Sequence, residues 1–236
     1  MRSHYPKDNG PLKERIFLTE RQVDEACAGA LEVLGLMPKE PGPVDIDRFV
    51  ENRFGFYEFD DLAPGVLGYT KFSRNGVERV VISKELGEGT DKVSKRRVRT
   101  TLAHEAGHGL FHAPLFAVAH MDHRSMFEDV AHDDTPRILC RDVHDEADGN
   151  RPRSKWFEIQ ANMAIGSLLL PRSVFERSLR PYLAEAGGFL GGTRFDEKRR
   201  AEAIRDLAEL FNVNPRVVRI RLESVFPVTM AQQGSL

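Results

Sequence analysis

At 236 residues, with 41% hydrophobic and 30% charged residues, the chain is long enough to fill one core and has an ordinary globular make-up. A formal net charge of −2 gives no electrostatic case for generic binding to nucleic acid or to an anionic membrane. No apolar run approaches the roughly 18 residues of a membrane span, Met1 to Leu12 lacks a signal-peptide core, and Cys27 and Cys140 suggest no disulfide framework. The expectation is a reducing, cytoplasmic setting.

Residues 1–18 read as a flexible leader. Thr19-Glu20-Arg21-Gln22 has the form of a capping box, and Val23, Ala26, Cys27, Ala30, Leu31 and Leu34 follow at helical spacing, with Gly35 as the stop. Cys27 falls in that apolar stripe and reads as core. After a Pro/Gly linker from Lys39 to Val44, a short helix is expected from Asp45, with Ile46, Phe49 and Val50 facing inward. Asn75-Gly76 between Val66–Phe72 and Val77–Ile82 predicts a hairpin. Its outer strand would either offer backbone groups to an extended peptide or be an ordinary meander; residue types do not separate the two.

Ser94 reads as the N-cap of a helix running to about His112 and stopped by Pro114. Lys95, Arg96, Arg97 and Arg99 crowd its first turns against the helix dipole, which favours a solvated charged face over contact with an acidic partner. Gly107 and Gly109 each cost this helix about 1 kcal/mol relative to alanine, a cost that close approach of another element would offset. Residues 113–154, with His120, His123, His132, Cys140 and His144, read as a long irregular connection. Helices are then expected over Lys155 to Leu170, Ser173 to Leu183, Asp196 to Phe211 and Pro215 to Val225, with Asn214 capping the last. This organisation gives a main domain over 19–183, a C-terminal helical subdomain over 184–226 and a tail at 227–236.

The chemistry is carried by His104-Glu105-Ala106-Gly107-His108, the pattern HExxH. Residues four apart share a helix face, so His104 and His108 can both turn an imidazole to one zinc ion, with Glu105 beside them as a proton acceptor. A catalytic zinc takes three protein ligands. A third histidine six residues after His108 is ruled out, because that position is Pro114. His112 lies one more turn along the axis, about 5–6 Å on, too far to join the other two. It reads as a residue behind the ligands or lining the cleft, with a plain surface histidine nearly as favoured. Glu158 is the better third ligand: it begins an otherwise apolar helix and is followed one turn later by Asn162, which can hold a histidine N–H or a backbone group.

These residues resemble the ImmA/IrrE family of zincin-like metallopeptidases. The resemblance rests on Gly42-Pro43-Val44-Asp45-Ile46, the hairpin, the alanine-preceded HExGH, Glu158-Ile159-Gln160-Ala161-Asn162 and Leu168-Leu169-Leu170-Pro171, and it covers about residues 19–225. Ala164-Ile165 replaces the family's Phe-Ala pair, and the stretch between the two zinc helices is longer than in many members.

The resemblance implies an α+β fold: a zincin-like core with helices on a small, mainly antiparallel sheet and a C-terminal helical extension. It implies one zinc ion on His104, His108 and Glu158, with Glu105 as general base. Tyr69, His112 or a histidine of 113–154 would steady the oxyanion. The implied activity is cytoplasmic cleavage of a protein substrate, a helix-turn-helix repressor, with no direct nucleic-acid or membrane contact. A non-proteolytic regulator that inactivates a repressor by binding it needs the same ligands. Two further readings are less favoured: the last two helices as a DNA-binding pair using Arg216, Arg219 and Arg221, and Cys140 as a blocker of the open zinc position. Oligomeric state is not legible.

Overall fold

A computed structural model describes residues 2–3, 15–115, 137–141, 156–185, 193–194 and 197–226. The fold is α+β. Strands β1 (Arg2–Ser3) and β2 (Arg15–Ile16) form a two-residue antiparallel pair. Helix α1 (Glu20–Val33) starts at the expected capping box, with the Thr19 hydroxyl accepting from the Gln22 N–H and the Gln22 side chain accepting from the Thr19 N–H. It buries Val23, Cys27 and Leu31 completely and stops at Gly35, whose φ of +67° suits a residue without Cβ. Burial pushes the Cys27 thiol far above its ordinary range, so it packs as an apolar group. Helix α2 (Ile46–Phe54) is capped by Asp45 and buries Ile46, Phe49 and Val50.

The sheet has four strands: β3 (Tyr57–Asp60), β4 (Val66–Ser73), β5 (Gly76–Ser83) and β6 (Arg137–Arg141), in the spatial order β3-β5-β4-β6. β3 runs parallel to β5, and the other two pairings are antiparallel. The hairpin is where the sequence puts it, although Ser73 pairs with Gly76, so the two loop residues are Arg74-Asn75 and Gly76 takes φ +115° at the start of β5. In β4, Val66, Gly68, Thr70 and Phe72 are buried, alternating with half-buried residues. A Cβ on Gly68 would lie 2.8 Å from the Val81 carbonyl oxygen and 3.0 Å from the Thr101 side chain, so glycine lets the following long helix sit directly on the strand.

One expectation is corrected here and one open choice is decided. β6 lies within the connection read as irregular; its sequence Arg-Ile-Leu-Cys-Arg does not alternate polar and apolar residues. It pairs along the outer side of β4, with Thr70 opposite Ile138, so both hairpin strands are interior and neither is a free edge for a peptide. His120, His123, His132 and His144 lie outside the described residues, as does the Cys140 side chain.

Helix α3 (Lys84–Glu88) separates the hairpin from α4 (Lys92–Phe111), the helix that carries HExxH. α4 begins earlier than Ser94: the Asp91 carboxylate accepts from the Val93 and Ser94 N–H groups, and a charged acceptor outcompetes a hydroxyl three residues later. Helices α5 (Trp156–Leu169) and α6 (Arg172–Leu179) follow, then a 3-10 turn (Arg180–Tyr182) and the short pair β7 (Ala184–Glu185) and β8 (Thr193–Arg194). Helices α7 (Glu197–Leu210) and α8 (Pro215–Val225) end the described chain, the latter capped by Asn214 as expected. Ala203, Leu207, Phe211, Val218 and Leu222 of this region belong to the same buried cluster as α1, α2, the sheet, α4 and α5.

Of the four cations, Arg96 and Arg99 clasp that C-terminal region rather than joining a solvated face, whereas Lys95 is exposed as expected. Arg96 donates to the Ala208 carbonyl at 3.0 Å and to the Asn212 side chain at 3.2 Å, and Lys92 and Arg96 both pair with Glu209. Arg99 bridges the Asn212 and Val44 carbonyls. These cations meet the carbonyl end of α7, where a helix dipole favours positive charge. Arg221, one of the three arginines weighed for DNA contact, is only 4% exposed and is paired with Asp24. Among the described residues no helix is long and apolar enough to cross a membrane.

Candidate metal centre

The centre is built where α4 crosses α5, and glycine sets how close they come. A Cβ on Gly107 would lie 2.7 Å from the Ala164 Cβ and 3.0 Å from the Ala161 Cα, so α5 lies directly against this turn of α4. Gly109 does the same for the Phe54 ring, 2.6 Å from where its Cβ would be. Both glycines that weaken α4 as an isolated helix are thus explained by close approach.

That approach brings one face of α4 to one flank of α5. The Nε2 atoms of His104 and His108 are 3.0 Å apart. Glu158 reaches both, with Oε2 at 3.2 Å from His104 Nε2 and Oε1 at 3.6 Å from His108 Nε2. Ligand bonds of about 2.0–2.2 Å at tetrahedral angles would put ligand atoms about 3.3–3.6 Å from one another. The observed separations of 3.0–3.6 Å, with one Glu158 oxygen facing each ring, lie close to that range, and His104, His108 and Glu158 form a group that could hold a metal ion. The histidines are buried, while the Glu158 side chain is 25% exposed, so the centre opens to solvent on the α5 side.

Around this triangle the polar groups are ordered. His104 Nδ1 lies 3.2 Å from Asn162 Oδ1. His108 Nδ1 lies 3.0 Å from His112 Nδ1, and His112 Nε2 lies 3.1 Å from Gln160 Oε1. Glu105 is completely buried; the Thr70 hydroxyl donates to its Oε2 at 2.6 Å, while its Oε1 has no hydrogen-bond partner. Burial pushes the Glu105 carboxyl up to about 7, against the pull of His104 and the Thr70 hydrogen bond. Burial, with adjacent His104, lowers His108 to about 4 despite Glu158, so its ring is neutral at neutral pH. Burial and then the neighbouring His108 bring His112 down to about 3. For Glu158, burial works against ionisation, but the adjacent His104 and His108 rings outweigh it and hold the carboxyl down to about 2.

Of the residues singled out in the sequence, His104, Glu105, His108, His112, Glu158 and Asn162 converge here. His112 is fully buried, which settles it as a residue behind the ligands and not a surface histidine. Tyr69 is the half-buried neighbour of Thr70 on β4; strand side chains alternate between faces, and Thr70 is the one turned to Glu105.

Two residues of the centre were not anticipated. Thr70 looks in sequence like any β-branched strand residue, and only the packing of α4 on β4 gives its hydroxyl a role. Gln160 sits two positions after Glu158, about 200° around the helix, so no single-face pattern includes it. Its buried amide in an apolar helix was the available signal. No family model matches the chain, and no curated protein matches it.

Proposed function

We propose that the protein is a zinc-dependent endopeptidase of zincin-like construction that acts on a specific protein partner. The observation that carries this reading is the convergence of His104, His108 and Glu158 beside a buried carboxylate, Glu105, whose second oxygen has no partner. Two imidazoles and one carboxylate are a donor set suited to zinc, and three protein ligands leave a position open. Asn162 and His112 hold the Nδ1 side of each ligand ring, which directs both Nε2 atoms to the same point.

A bound zinc ion would supply a Lewis acid for a peptide carbonyl and make a water easier to deprotonate. The chain supplies the proton transfers. Glu105 is pushed by burial towards neutral pH, the range in which a carboxylate both accepts and returns a proton. The Thr70 hydroxyl occupies one Glu105 oxygen and leaves the other to meet the water. Glu105 then passes the proton to the leaving amine. A protein substrate of the helix-turn-helix repressor class and a cytoplasmic setting follow from the resemblance of HExGH and Glu158-Ile159-Gln160-Ala161-Asn162 to the ImmA/IrrE family.

The test is incubation of the purified, zinc-loaded protein with helix-turn-helix repressors of its own organism. Cleavage is expected from the native chain, and Glu105→Gln is expected to keep one zinc per chain while cutting at least ~100-fold more slowly. Full-rate cleavage by that variant, or no bound zinc in the native chain, would overturn the reading.

A further inference from the structure

We infer that Gln160 and His112 are positioning residues: the Gln160 carbonyl oxygen, acting through His112, decides which nitrogen of His108 is left bare for the metal. The inference rests on the metal reading above and adds a role for a glutamine outside the proposed ligand set.

A neutral imidazole has one N–H and one bare nitrogen, so a hydrogen bond at one nitrogen fixes the other. An amide oxygen only accepts. With Gln160 Oε1 3.1 Å away, His112 must carry its proton on Nε2, which leaves His112 Nδ1 bare. That bare nitrogen lies 3.0 Å from His108 Nδ1, which must then be the donor. His108 Nε2 is consequently bare, and it is the atom that faces His104 and Glu158. The order runs amide oxygen, ring, ring, metal position, and reversing any link would put a proton where the ion belongs.

Water is kept from scrambling this order. His108 and His112 are fully buried and Gln160 is 5% exposed. The Trp156 and Phe157 rings lie 5.4 and 6.1 Å from the His112 ring, centroid to centroid, and close its apolar side. His104 reaches the same result in one link, through Asn162 Oδ1. Glu158, Gln160 and Asn162 are all on α5, so one helix supplies a ligand and the two amides that orient both rings. With both rings donating from Nδ1, two bare Nε2 atoms are left 3.0 Å apart, an arrangement a cation relieves.

The experiment reads histidine tautomers by two-bond proton–nitrogen correlation NMR on 15N-labelled protein, with zinc affinity from competition with a chromophoric chelator. His112 is expected as the Nε2–H tautomer with or without zinc, and His108 as Nδ1–H in the zinc-loaded protein. Gln160→Met, close in shape but without an oxygen acceptor, is expected to weaken zinc binding about 10-fold, whereas Gln160→Glu, whose carboxylate keeps an acceptor oxygen for the His112 Nε2–H, stays within about 3-fold of the native chain. An Nδ1–H proton on His112, or equal losses in the two variants, would overturn the inference. Absence of zinc uptake by the native chain would instead sink the metal reading, and the His112 tautomer in the metal-free protein would still judge the hydrogen-bond order.

Discussion

Helix α5 carries a buried polar cluster at each end, and the two are finished differently. Near its C-terminal end, Asp24 of α1 accepts from Ser167 and from Arg221 of α8, both at 2.6 Å, and Arg172 faces its second oxygen at 3.6 Å. Arg221 also donates to the Leu170 carbonyl at 3.1 Å. Every charge there has an opposite charge from the same chain. Near the N-terminal end, Glu158, His104, His108 and Glu105 bring acceptors together: two ring nitrogens lie 3.0 Å apart, and among the described residues no arginine or lysine pairs with either carboxylate. A cluster closed by its own chain ties helices together. A cluster left rich in acceptors is built for something the chain does not contain.

The largest expected effect is on the closed cluster. Arg221→Met strands the Asp24 carboxylate in the core, and urea unfolding should show a loss of about 3–5 kcal/mol. Adding Asp24→Leu removes the stranded charge and should recover most of that loss. If the single variant lost under about 1 kcal/mol, the cluster would not be the tie it is taken for.

Zinc should act on the other cluster alone. At free zinc 100 times its dissociation constant, the native chain should gain about 2.7 kcal/mol against unfolding. Glu158→Ala should abolish the gain, and the Asp24→Leu, Arg221→Met double variant should retain it. A gain that survived in Glu158→Ala would move the ion elsewhere and break the contrast between the two ends of α5.

How far sequence carried the account divides along the same line. HExxH, Glu158 and Asn162 were legible because helical periodicity turns spacing into a shared face. The capping box at Thr19 and the hairpin were legible because their signals are local. Gln160 was hidden because it lies off the Glu158 face, and Thr70 because its partner is 35 residues away in sequence. Strand β6 was hidden by its lack of alternation, and the Arg96 and Arg99 clasp by its dependence on a carbonyl end more than 100 residues on. The Asp24–Arg221 pair spans 197 residues, and neither residue type signals burial by itself.

Gly107→Ala sharpens the contrast at a smaller scale. Its added methyl meets Ala164 and the Ala161 backbone, and the overpacking should cost about 1–3 kcal/mol, less the helix propensity gained. Moving α5 away from α4 also carries Glu158 from the two rings, so zinc affinity should fall along with stability. The Asp24 cluster, which joins α5 to α1 and α8, should not register the change, and a stability loss with zinc affinity intact would show that the helices yield without moving the ligands.

The smallest effect has the opposite sign. In the closed cluster a buried charge is offset, so neutralising one partner costs stability; Glu105 is a buried carboxylate that burial itself penalises. Glu105→Gln in the metal-free protein replaces that carboxyl with a neutral amide of the same shape that can still accept from Thr70. Urea unfolding should find the variant at or about 1 kcal/mol above the native chain, the exchange of stability for function expected where a reactive group is held in a poor environment. A loss of 1 kcal/mol or more would instead class Glu105 with Asp24, as a group kept for the fold.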